Sequence, residues 1–218
     1  MGTPETADTA DAAARLAQIT AATDVAEVRR LYDDWAATYE DVDVAGLMGH
    51  PDASRVADVV TEIAGPGADV LDAACGTGLV GAELAERGFT SIDGLDLSPG
   101  MIHRARRRRV YHDLGPADLR DGVPGASAKF DVVTCRGGFA PGHLGPRALT
   151  GFARVVRVGG VLVAAVDDAT WAAHGYAEAV DRLRAQGLVR PVERSDPGLL
   201  VLEVRGDVPA SRSVPWSP

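Results

Sequence analysis

The sequence predicts an α/β domain built on an open, mostly parallel sheet with helices on both faces, and three observations carry that prediction. An apolar run, Val70-Leu71-Asp72-Ala73, passes through the turn Gly76-Thr77-Gly78 into a helix-patterned segment from Leu79. Further apolar runs at Ser91–Leu97, Phe130–Cys135 and Val158–Val166 alternate with helical patterns, the rhythm of strands joined by crossover helices. An acid, Asp96, lies 20 residues past Gly76 at the end of the second run, on the sheet edge where open α/β folds bind ligands.

Residues 1–23 are rich in Ala, Thr and Asp, and are expected to be flexible, as a frayed or loosely docked helix. Asp24 is a helix N-cap, and Val28, Leu31, Tyr32, Trp35 and Tyr39 follow at three- and four-residue steps on one apolar face. Val56, Val59, Val60 and Ile63 make a second helix, stopped by Gly65-Pro66-Gly67. After the glycine turn the helix from Leu79 ends at Gly88, and Ser91–Leu97 is the second strand. A helix from Pro99 carries Arg104 and Arg106 to Arg109; consecutive positions point different ways round a helix, which favours a solvated face over a nucleic-acid stripe. Leu114 to Ala117, interrupted by Pro116, suits an edge strand. Phe130–Cys135 opens into the Gly/Pro loop 136–144, then a helix over Pro146 to Val156 and the strand Val158–Val166. One helix is expected from Trp171 to Ala185, then strands at Val189–Arg194 and Leu199–Val204 joined through Ser195-Asp196-Pro197-Gly198, and a flexible tail over 207–218.

At 218 residues with 46% hydrophobic content, one domain over residues 24–206 is expected: a helical segment at 24–50 and a core at 54–206. No apolar run reaches the length of a membrane span, and neither the features of a signal peptide nor a cysteine framework is present, so a cytoplasmic chain is expected. A net charge of −9 disfavours nucleic-acid and membrane partners. The histidines show no metal-ligand spacing with Cys, Asp or Glu, so no metal is expected.

Gly76, Gly78 and Gly81 satisfy a dinucleotide fingerprint, so the turn alone does not choose a ligand. Asp72 does: a carboxylate before the first glycine would repel a pyrophosphate, and suits a ligand with a cationic amine and no phosphate. A short-chain dehydrogenase would need a Tyr-x-x-x-Lys pair, but the single lysine is Lys129 and position 125 is Gly. Asp72-Ala-Ala-Cys-Gly76-Thr-Gly78 resembles the first motif of the class I S-adenosylmethionine (SAM)-dependent methyltransferases. So do Asp96-Leu97-Ser98-Pro99-Gly100-Met101, Phe130-Asp131, and the Leu31-Tyr32-Asp33-Asp34-Trp35-Ala36-Ala37-Thr38-Tyr39-Glu40 segment. Within that superfamily the chain is most similar to the Williams-Beuren-region type, through Gly142-His143-Leu144-Gly145-Pro146 and the Trp171 to Ala179 stretch.

The resemblance, which covers roughly residues 25 to 205, implies a Rossmann-like, seven-stranded, mostly parallel sheet in the order 3-2-1-4-5-7-6, with an N-terminal helical lid. It implies SAM as cofactor and S-adenosylhomocysteine as product, bound by Tyr32, Trp35 and Tyr39 of the lid, by Asp72, Ala74, Cys75, Gly76, Thr77 and Gly78, and by Asp96, Leu97 and Met101. Asp118 and Leu119 stand at the family's adenine position, and Cys135 and Arg136 at the fourth strand end. Asp96 is the ribose acid, with Asp93 the alternative. The substrate pocket is expected at Tyr32, Arg136, Phe139, His143 and Trp171. His143 is the candidate proton acceptor and Asp167 the second, because imidazole titrates near neutrality and both follow strands at the ligand edge.

The expected activity is methyl transfer to O, N or S of a small molecule by a monomer or homodimer. A non-methylating reaction such as a cyclisation, and a non-catalytic SAM-binding subunit, stay open beside it.

Overall fold

The computed structural model describes residues 4–42, 44–120, 122–125, 127–193 and 198–208. Its centre is a seven-stranded sheet in the order β3-β2-β1-β4-β5-β7-β6, the order the resemblance implies. The strands are β1 (Asp69–Ala73), β2 (Ser91–Asp96), β3 (Leu114–Pro116), β4 (Phe130–Cys135), β5 (Val156–Ala165), β6 (Val189–Pro191) and β7 (Leu199–Val204). The first five are parallel; β7 runs antiparallel to β5 and β6. β1 and β4 are buried on both faces, so they read as near-continuous apolar runs and do not alternate. Pro116 sits on the edge strand, where its missing N–H costs no ladder bond.

Two apolar layers flank the sheet. One gathers α4 (Ala53–Ile63) and α5 (Leu79–Glu86) through Val56, Val60 and Leu84 against Val70, Ile92 and Val132. The other gathers α7 (Ala148–Val155) and α9 (Tyr176–Ala185) through Phe152, Tyr176 and Leu183 against Leu71, Val133 and Leu162. The helix expected over Trp171–Ala185 is two, α8 (Asp168–Ala173) and α9, because Gly175 takes a left-handed φ of 75°.

A third apolar cluster lies over the ligand edge. Residues 4–21, expected as flexible, form α1 (Pro4–Ala21), whose Ala12 and Ile19 are buried against Val28 and Trp35 of α2 (Val25–Trp35). Asp24 caps α2 by accepting from the Ala26 N–H. A 3₁₀ turn, Tyr39–Asp41, and α3 (Val44–Leu47) complete this layer. It is fastened to α6 (Pro99–Arg106) by Asp33, whose carboxylate accepts from the Ser98 hydroxyl (2.5 Å) and the Gly100 N–H (2.7 Å). A Cβ on Gly100 would stand 3.0 Å from the Asp33 Cα, so the glycine is what lets the two helices meet. The turn Ser195-Asp196-Pro197 lies outside the described residues, as does the expected tail from residue 209.

Candidate active site

The glycine turn after β1 owes its shape to positive φ at Ala74 (56°), Gly76 (55°) and Gly78 (87°). The open space around the Gly76 Cα leaves its backbone exposed to a ligand. The third glycine of the apparent fingerprint has another use. A Cβ on Gly81 would fall 2.4 Å from the Tyr111 ring and one on Gly94 2.8 Å, so these two positions make room for Tyr111. The Tyr111 hydroxyl donates to Asp72 Oδ2 at 2.7 Å, and Thr134 donates to Oδ1 at 3.2 Å.

Asp72 and Asp96, from neighbouring strand ends, thus face one pocket across the turn. Asp96 accepts from the Gly76 N–H (2.8 Å) and the Ser98 N–H (2.9 Å). All these donors are neutral. Burial therefore raises both carboxyls to about 6, and the hydrogen bonds offset it only in part. Thr77, also lining the pocket, has a buried hydroxyl with no hydrogen-bond partner. Among the described residues no cation is bonded to either carboxylate, and with the orphaned hydroxyl they form a set that a ligand with an ammonium and hydroxyls would complete.

The pocket is an open cleft between the glycine turn, the ends of β1 and β2, and the lid. Of the residues singled out from the sequence, Tyr32, Tyr39, Asp72, Ala74, Cys75, Gly76, Thr77, Asp96, Leu97, Met101, Asp118, Leu119, Arg136 and His143 line it. Asp118 is engaged by Arg120 at 2.8 Å, which overrides burial and holds its carboxyl below the ordinary range. Asp93 is turned away, 2.6 Å from Lys129 Nζ and accepting from the Asp113 N–H.

Six expected residues do not line the pocket. Trp35 is buried between α1 and α2, stacked on Tyr32. Phe139 is fully buried against Phe152 and Tyr176, and Trp171 stacks on Tyr176 from the same layer. Cys135 is buried beneath the site, its thiol pushed up by desolvation. Gly78 packs on Tyr111 and Arg108. Asp167 opens α8, accepting from the Thr170 N–H at 3.0 Å, and borders a different hollow.

His143 is joined to the lid. Its Nδ1 lies 3.0 Å from the Pro141 carbonyl, an acceptor only, so Nδ1 carries the proton and Nε2 holds the lone pair. The Tyr32 hydroxyl donates to that Nε2 in a short hydrogen bond between residues 111 positions apart. Burial lowers the His143 pKa and raises that of Tyr32, so the pair is neutral at pH 7.

Three further residues shape the site. Tyr111 stands after the basic helix, and its signal was the pair Gly81 and Gly94. Arg108 was assigned to a solvated face; it is half-buried, donating to the Thr77 carbonyl at 2.7 Å and pairing with Glu40 at 2.8 Å, while Arg106, Arg107 and Arg109 are exposed. His50 is 5% exposed, beside Gly137, with both ring nitrogens unpartnered.

Residues 70–160 match a family model described as a methyltransferase domain. The chain is 37% identical to human methyltransferase-like protein 27 over 124 residues, 56% of this chain and 50% of that one. It is 35% identical to the demethylmenaquinone methyltransferase of Renibacterium salmoninarum over 141 residues, 64% of this chain and 58% of the relative. The chain therefore spans between 50% and 58% of the length of these relatives. The sugar N-methyltransferase KedS8 of a Streptoalloteichus species superposes with a TM-score of 0.51 at 26% identity, over 71% of this chain and 87% of that one. With its strand order, its acid-glycine turn and a methyltransferase-domain match over residues 70–160, the chain is similar to the class I SAM-dependent methyltransferases.

Proposed function

We propose that this chain binds SAM in the cleft over β1 and β2 and transfers its methyl group to a nucleophile of a small molecule. The observation behind it is the pair of buried carboxylates, Asp72 and Asp96, raised to about 6 because burial outweighs the hydrogen bonds from their neutral donors. Bound SAM supplies a methyl group already activated by the sulfonium charge. The residues then have three tasks. Asp72 and the Thr77 hydroxyl hold the amino acid end, and Asp96 takes the ribose hydroxyls beside the exposed Gly76 backbone. Leu97, Met101, Ala117 and Leu119 close on the base with Asp118 at its edge. Tyr32, Tyr39 and Val28 lie over the cleft from the lid and keep water from the reacting centre.

Proton removal falls to His143. Its Nε2 lone pair already accepts the Tyr32 hydroxyl hydrogen bond, so a nucleophile against Tyr32 can pass its proton to the phenol oxygen as the phenol proton moves to Nε2. The acceptor is read as a small molecule because the cleft is roofed by one compact lid. The relatives named for a demethylated quinone and for a sugar nitrogen point the same way.

Calorimetry with S-adenosylhomocysteine, SAM, NAD and NADP tests the reading: the first two are expected to bind at micromolar concentration and the nicotinamides not at all. Nicotinamide binding without SAM binding overturns it.

A further inference from the structure

A second hollow opens on the same edge of the sheet. It is bordered by Gly49, His50, Pro51 and Asp52 from the link between lid and core, by Arg55, by Asp167 and Asp168 at the end of β5, and by Gly198 at the start of β7. The link is wedged there by close contacts: a Cβ on Gly49 would meet the Asp167 Cβ at 3.7 Å, and one on Gly198 would meet Pro51 Cδ at 3.5 Å. The Arg136 Nε donates to the Pro51 carbonyl at 2.6 Å, tying the hollow to a residue of the cofactor cleft. His50 stands between the two spaces. Its Nδ1 lies 4.0 Å from where a Cβ on Gly137 would be, and Gly137 lines the cleft.

Helix capping accounts for part of this surface. Asp52 accepts from the Arg55 N–H and Asp167 from the Thr170 N–H. It does not account for His50. A buried imidazole with two unpartnered nitrogens forgoes the hydrogen bonds that nearly every buried polar group makes, and neither cap touches it. Desolvation, with Arg136 and His143 adding to it and Asp167 opposing, lowers its pKa, so at pH 7 it is a neutral imidazole with one acceptor nitrogen and one N–H donor. Asp167 itself is held below the ordinary carboxylate range, chiefly by its bonds to Thr170 outweighing burial, and is ionised. The charges on the rim are the carboxylates of Asp52, Asp167 and Asp168 against the guanidinium of Arg55, which pairs with Glu62 at 3.8 Å. With Arg55 paired to Glu62 and the Arg136 Nε donating to the Pro51 carbonyl, the carboxylates dominate the rim, and an imidazole acceptor nitrogen behind them suits a group that carries N–H donors and positive charge.

We propose that this hollow is the methyl acceptor's subsite and that it takes an amine, with Asp167 attracting the ammonium form and His50 accepting an N–H from the nitrogen at the boundary with the cleft. The inference rests on the methyltransferase reading and adds the acceptor class to it.

The test uses the full chain saturated with S-adenosylhomocysteine and a pair of isosteric probes, cyclohexylamine and cyclohexanol, followed through the imidazole nitrogen resonances of His50. Cyclohexylamine is expected to shift them saturably and cyclohexanol to leave them unmoved. Asp167→Asn keeps a capping side chain and therefore the fold, and is expected to weaken the amine about tenfold while S-adenosylhomocysteine affinity is unchanged. His50→Gln is expected to weaken it similarly. If S-adenosylhomocysteine binds and the amine leaves His50 unmoved, or the alcohol binds equally well, the subsite is overturned and the methyltransferase reading stands. If S-adenosylhomocysteine does not bind, both fall together.

Discussion

At the scale of single residues, the cleft is governed by what its carboxylates lack. Asp72 and Asp96 are raised to about 6 without ligand, and an ammonium beside Asp72 favours the ionised form. Below pH 6 the ligand must displace a proton, so S-adenosylhomocysteine affinity is expected to fall by up to about tenfold per pH unit for each carboxylate, and to level off above pH 7. Calorimetry at pH 5, 6 and 7.5 in two buffers of different ionisation enthalpy reads the affinity and the protons released; a flat profile means that neither carboxylate meets the ligand. Asp96→Ala is expected to cost about 3 kcal/mol of affinity, two hydrogen bonds to a charged acceptor. Asp93→Ala should cost the ligand less than about 0.5 kcal/mol, because Asp93 faces Lys129 and not the cleft. The reverse order in a titration would move the ribose site. Asp72 and Asp96 were legible in the sequence because a carboxylate ending an apolar strand beside a glycine turn has few structural reasons to be there. His50 was not legible. Its isolation is created by Gly49, Asp167 and Gly198 meeting across more than a hundred residues of chain, and no local spacing records that.

At the scale of elements, the lid and the loop after β4 meet where Gly142 approaches the backbone of Ile19 and Thr20 and where Tyr32 donates a hydrogen bond to His143. If proton transfer runs along it, Tyr32→Phe and His143→Ala each lower kcat by about 10²–10⁴-fold with S-adenosylhomocysteine affinity nearly unchanged. With SAM saturating at every pH, the acid limb of the kcat profile should also vanish in His143→Ala. A loss below about tenfold in both variants, with the profile kept, would leave orientation as the whole of the protein's contribution. The helix carrying Tyr32 was readable from its cap and its three- and four-residue steps, yet the steps did not say which aromatics face the ligand. Trp35 turns inward because α1 packs against that side, with Ala12 and Ile19 supplying the apolar surface that a low-complexity composition seemed not to offer. Phe139 and Trp171 went the same way: an aromatic near a Gly/Pro loop has the same local signature whether it lines a cleft or fills the core under it. The break at Gly175 was within reach of the sequence, since a glycine inside a helical pattern costs about 1 kcal/mol and invites a stop.

At the scale of the whole molecule, the cleft lies at the seam between the lid cluster and the sheet layers, where Leu97 is an apolar contact between them. The lid cluster of Ala12, Ile19, Val28, Trp35 and Val44 is distinct from the two layers on the sheet, and Asp33, Arg108 and Tyr32 are among its polar ties to the core. A cluster of five buried residues held by polar links opens more cheaply than a sheet layer, so without ligand the lid should exchange its amide protons well before the strands do. A ligand touching Asp72 and Asp96 on one side and Tyr32 and Tyr39 on the other bridges the seam. At a hundred times its dissociation constant, S-adenosylhomocysteine adds about 2.7 kcal/mol to global stability. For a chain of this size that raises the melting temperature by roughly 5–10 °C. The same addition should slow exchange across residues 25–42 far more than in β4 or β5, because the lid gains its closed state as well as the global increment. Both effects should shrink from pH 7.5 to pH 5.5, since protonated Asp72 and Asp96 weaken the bridge. A higher melting temperature with unchanged exchange in the lid would place the ligand on the sheet alone and make α2 a fixed wall of the core.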